Sequence, residues 1–158
     1  CTQNYVLSNL NVSGCGNLTD LICRQNNLAS LTLSNANLAT VICEINNMTN
    51  LDVSGCPNLT YLDCFDNKLA NVDVSSNPAL DYFRCYNNLL TDLDLSENRE
   101  LTQLDCNANS LTNLDLSANT NLTYVNATDN ALTEIIVWDT NNLPSTFLYD
   151  AGVTIREP

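Results

Sequence analysis

Residues 59–79 read LTYLDCFDNKLANVDVSSNPA, and the stretches around them repeat the pattern. Residues 80–100 are LDYFRCYNNLLTDLDLSENRE and residues 101–121 are LTQLDCNANSLTNLDLSANTN, with apolar residues, a Cys and two Asn at matching places. Working outward, LTYVNATDNALTEIIVWDTNN (122–142) follows, and LATVICEINNMTNLDVSGCPN (38–58) and LTDLICRQNNLASLTLSNAN (18–37) precede. The common pattern is LxxLxCxxNxLxxLDLSxNxx. Self-similarity at a short fixed period marks a solenoid, whose units bury a core only by stacking on one another. Each unit is itself nearly two copies of a half-unit, LxxLxCxxN and then LxxLDLSxN ten residues on. The L-x-L and L-x-C pieces have period two, as a strand with one buried face requires. Each closes on an Asn, which tolerates left-handed backbone and whose side-chain amide satisfies turn backbone groups.

The expected architecture is therefore mainly β. Two short parallel sheets lie on opposite sides of a thin coil, with one strand per half-repeat and little or no helix. The chain reads as a single repeat domain, 1–158, with an N-terminal partial repeat (1–17), six repeats (18–142) and a C-terminal cap (143–158). Irregularities fall near the ends: residues 18–37 are one short, Ala127 replaces the column Cys, and Trp138 replaces the consensus Ser. The last two mark the start of the expected cap, in which Trp138, Phe147, Leu148 and Tyr149 cover the open end of the core.

From about residue 7 to 142, these units resemble the leucine-rich-repeat superfamily, and within it the bacterial 21-residue class with the pattern LxxLxCxxNxLxxLDLxxN. The resemblance implies an extracellular or cell-surface recognition or adhesion module with a protein or glycan partner. It names no ligand. The other class it leaves open is a structural subunit or spacer of a larger surface assembly.

Composition narrows the partners. Eighteen acidic residues against five basic ones give a net charge of −13, which repels phosphate backbones and anionic membranes, so nucleic acid is not expected. No apolar run approaches the ~20 residues of a membrane span. The chain opens without a basic, apolar leader, so any export signal is expected to have been removed or left out. Cys1 stands as a lipid-anchor candidate, or as a disulfide partner for Cys15 or Cys23.

Catalysis has little to work with. There is no His, which removes the commonest general base, and four Gly make no phosphate loop. No enzyme activity, cofactor or metal is expected. Cys43, Cys64, Cys85 and Cys106 recur every 21 residues, and Cys23 lies 20 before Cys43. In-register side chains in such a column run parallel, so they suit small buried hydrophobes better than a tetrahedral metal site. Cys15 and Cys56 fall at the second Asn position and read as turn residues. Asp52, Asp73, Asp94 and Asp115 form an acidic column on the second strand. Stacked carboxylates can recruit a hard cation, yet a feature present in every unit, followed by Ser, is more economically structural. Six N-x-S/T sequons (Asn11, Asn17, Asn47, Asn58, Asn121, Asn126) matter only in a eukaryotic secretory setting.

One face is left unexplained by the repeat. The third, fifth and seventh positions of the first strand point outward, and there the aromatics converge: Tyr61, Asp63, Phe65, then Tyr82, Arg84, Tyr86, and Tyr124 further on. Exposed Tyr, Phe and Arg are the residue types that dominate binding hot spots. Those seven residues are the candidate partner-binding site, with cross-strand protection of the sheet as the competing reading.

Overall fold

The computed structural model describes residues 1–158. It has no helix and twelve three-residue strands: β1 (Asp20–Ile22), β2 (Ser30–Thr32), β3 (Thr40–Ile42), β4 (Asn50–Asp52), β5 (Tyr61–Asp63), β6 (Tyr82–Arg84), β7 (Gln103–Asp105), β8 (Asn113–Asp115), β9 (Tyr124–Asn126), β10 (Glu134–Ile136), β11 (Thr146–Leu148) and β12 (Thr154–Arg156). One sheet runs the length of the molecule in the order β1-β3-β5-β6-β7-β9-β11, all parallel. Register is strict, with Leu62 opposite Phe83 and Phe83 opposite Leu104. The middle residue of each strand therefore meets its equivalents inside the coil, and Leu62, Phe83 and Leu104 are fully buried. The column cysteines follow two residues on and are equally buried, joining a single core of 36 residues.

The first Asn of each unit is what fixes rung to rung. Asn88 Nδ2 donates to the carbonyls of Cys85 and Tyr86 in its own turn and to Cys64 one rung before, at 3.0, 3.3 and 3.1 Å. Its Oδ1 accepts from Leu69 N–H at 3.0 Å. Asn46, Asn67, Asn109 and Asn130 repeat the arrangement. The amide role expected of these residues is thus present, but the left-handed backbone sits one residue earlier. Gln25, Ile45, Asp66, Asn87, Ala108 and Asp129 carry it, with φ between 51° and 55°. The turn demands that conformation whichever residue stands there, because the next Asn must aim inward.

The opposite wall is not one sheet. It consists of β2-β4 and of β8-β10-β12, with no strand at residues 71–74 or 92–95. The breaks coincide with charge. Asp52 pairs across to Thr32 and Asp115 to Ile136, and those ladders form. The three contacts that would put Asp against Asp, 52 on 73, 73 on 94 and 94 on 115, are the ones that stay open. Like charges directly opposite destabilise strand pairing. Each of these carboxylates instead closes its own turn by accepting from the Ser two residues on.

At the ends, residues 143–158 add a further rung: β11 pairs with β9 and β12 with β10. Phe147 and Trp138 pack partly buried against the core, whereas Leu148 and Tyr149 face solvent. At the other end Leu7, Leu10 and Val12 lie against the core without forming a strand.

Candidate functional site

The seven-stranded sheet presents its outward residues in three files, one per odd position. Since neighbouring strands lie about 4.8 Å apart, like residues in adjacent rungs stack. Tyr61 and Tyr82 do so with ring centroids 4.4 Å apart and planes 5° from parallel. Phe65 and Tyr86 do so at 4.3 Å and 9°. Between these two stacks lies the middle file, where Arg84 sits 5.5 Å from the centroids of both Phe65 and Tyr82. Cation–π attraction holds the guanidinium there, and Asp63 holds it from below through an ion pair at 3.4 Å.

Five of the seven sequence-selected residues, Tyr61, Phe65, Tyr82, Arg84 and Tyr86, therefore form one cluster, half-buried at the surface. Tyr124 lies two strands beyond Tyr82, with Gln103 between them. Asp63 departs from the expectation that it points freely outward. Alternation puts its Cα on the outer face, but the flanking rings and Arg84 roof it, and it is only 4% exposed. Burial pushes its carboxyl up to about 6 in spite of the opposing pull of Arg84. Burial likewise raises Tyr61 to about 12, so its phenol stays neutral. Sequence reasoning passed over Glu44, which is buried and paired with Arg24 at 3.6 Å. It also gave Asp105 no role, although that carboxyl lies in the middle file, is raised by burial, and belongs to no ion pair.

Gln103 interrupts the tyrosine file. Around it lies a cleft of about 280 Å³ lined by Tyr82, Phe83, Arg84, Gln103, Leu104, Asp105 and Tyr124. The second wall also holds clefts, of about 410 and 300 Å³, but no aromatic side chain lines them. Its outward residues are mostly Asn, Asp, Ser and Thr, with carboxylates already engaged by Ser54, Ser75, Ser96 and Ser117. Its last rungs add Glu134, Ile136 and Arg156, which pairs with Glu134. No three His, Cys, Asp or Glu side chains are grouped to hold a metal ion. The column cysteines are unbridged and buried, and burial raises Cys23 to about 11 and Cys106 to about 12, which keeps them thiols. Cys56 is buried too, its carbonyl accepting from Asn77 Nδ2 at 2.8 Å, while Cys15 and Cys1 are exposed.

No protein-family model matches the chain, and no curated protein sequence does. Solved structures do match. A leucine-rich-repeat protein of Leptospira interrogans aligns with a TM-score of 0.72 at 22% identity, over 90% of this chain and 37% of its own. An internalin of Listeria monocytogenes gives 0.64 at 15% identity, over 96% of this chain and 58% of its own. Internalin C2 of the same organism gives 0.59 at 22% identity, over 96% and 80%. The chain spans less than two thirds of the length of the first two. At these identities the likeness is one of fold, that of a leucine-rich-repeat solenoid.

Proposed function

We propose that this solenoid is a recognition or adhesion module of a bacterial surface or secreted protein, binding a protein or glycan through the first sheet. The observation that carries the reading is the pair of aromatic stacks flanking Arg84 and Asp63, on the one wall whose strands pair without interruption. Rings already stacked on a rigid sheet lose little freedom when a partner docks, so more of their contact energy appears as affinity. Tyr and Arg are also the side chains most often found at hot spots. Membrane attachment through Cys1 belongs to the same proposal, since its thiol is exposed. The intact mass of native protein would reveal an acylated Cys1.

The test of the face is a comparison of variants in capturing partners from a native surface fraction. Tyr61→Ala, Tyr82→Ala and Tyr86→Ala are expected to weaken capture, by ~2 kcal/mol at a true hot spot. Asp94→Asn and Asp115→Asn on the other wall are expected to bind as the parent does. Loss of capture in the Asp variants with retention in the Tyr variants would move the site to the acidic wall.

A further inference from the structure

Resting on the reading of the first sheet as a binding face, we propose that the cleft between Tyr82 and Tyr124 receives an arginine side chain of a protein partner, its guanidinium stacked on the tyrosines and paired with Asp105. The repeat itself supplies the argument. In the preceding rungs a carboxylate in the middle file, Asp63, is answered in the next strand by Arg84, whose guanidinium lies against Tyr82 and Phe65. Asp105 stands in the same file two strands on, and its neighbour in the next strand is Asn126. The carboxylate has been repeated and its cation has not. Arg84 lines the cleft as well, but its ion pair is with Asp63. Asp105 feels that charge only at longer range and keeps one buried carboxylate oxygen, Oδ1, without a hydrogen-bond partner.

The walls fit the same occupant. Tyr82 and Tyr124 each flank Gln103 by one strand, so their rings are roughly 9.5 Å apart along the sheet. A planar group inserted midway stands from each at about the separation seen between Tyr61 and Tyr82, 4.4 Å. Gln103 is exposed, and its side chain makes no hydrogen bond that an incoming group would have to break. A guanidinium is flat, weakly hydrated and able to stack while donating to a carboxylate, whereas an ammonium can do only the last of these well. The net charge of −13 favours the approach of a basic segment.

Titration of the labelled chain with the capped tripeptide acetyl-Gly-Arg-Gly-amide, its Lys counterpart and maltotriose, followed by NMR, tests this. The expected result is saturable shifts at Gln103, Asp105 and Tyr124 with the arginine peptide, about tenfold weaker with lysine. Gln103→Tyr, which places a ring in the cleft without changing charge, and Asp105→Asn should each abolish the response. Asp94→Asn, which removes the same charge from the other wall, should not. Equal response to lysine, persistence in Gln103→Tyr, an equal loss in Asp94→Asn, or no shift at these residues overturns the proposal. Should maltotriose, and not the arginine peptide, shift Tyr82 and Tyr124, the arginine site falls while the binding face stands. Should the peptide shift only residues around Asp94 and Asp115, both fall.

Discussion

Asn88 carries four hydrogen bonds on one side chain, to its own turn and to the rung before. Replacing it with Ala leaves the Leu69 N–H without a partner, while the carbonyls of Cys64, Cys85 and Tyr86 each keep one other donor. The loss is expected to be about 1–3 kcal/mol, read as a lowered urea midpoint. The residue before the Asn acts through its backbone. Ile45 is β-branched, exposed at 38%, and held at φ 55°, a conformation that costs most L-residues about 1–2 kcal/mol and Asn much less. Ile45→Asn should therefore stabilise the chain by about 1 kcal/mol; an unchanged or lowered midpoint would contradict the assignment of strain. Asp63 links the site to pH. Burial raises its carboxyl from an ordinary 3.8 to about 6, so the folded chain keeps a proton that the unfolded chain has released. Its contribution is fully present below the unfolded value and is lost as pH rises through about 6. Asp63→Asn should accordingly gain on the parent at pH 7, by ~1–3 kcal/mol, and gain nothing at pH 4. Asp52, Asp73 and Asp94 slope the other way, because hydrogen bonds from Ser hold them below the usual range and their support is lost as pH falls.

The strands show what one chain can and cannot reveal about its elements. Period-two alternation with Leu62, Phe83 and Leu104 at even positions is a statement about single strands, and in the first half of these units each such strand forms. Asp63 shares that alternation yet is buried, because its roof comes from rings on its own and the next strand, which no single unit displays. The left-handed turn residue left no compositional trace, since Ile, Ala, Gln, Asp and Asn all occupy it. The interrupted second wall was written in the Asp column, but only pairing geometry shows which contacts set Asp on Asp. Relieving that repulsion should close the ladder. Asp73→Asn, whose amide oxygen still accepts from the Ser75 N–H, removes the repulsion without losing that bond. It is expected to raise stability by about 0.2–1 kcal/mol in low salt, less in high salt. A gain that is independent of salt, or no gain, would mean that something other than charge holds those rungs apart.

At the scale of the whole molecule the solenoid has one unbroken wall that carries the aromatic cluster and one interrupted acidic wall, and the binding proposal depends on that asymmetry. The far end was the least legible part: β11 and β12 lie in LPSTFLYDAGVTIREP, where only the spacing of Phe147 and Ile155 preserves the rung. The most direct measurement of which wall meets a partner is site-specific photocrosslinking on native cells. A photoreactive residue at Gln103, in the tyrosine file, is compared with one at Asn113, exposed on the opposite wall. The account predicts a discrete crosslinked species from position 103 that Tyr82→Ala diminishes, and none from position 113. A species formed from position 113 and absent from 103 would contradict it.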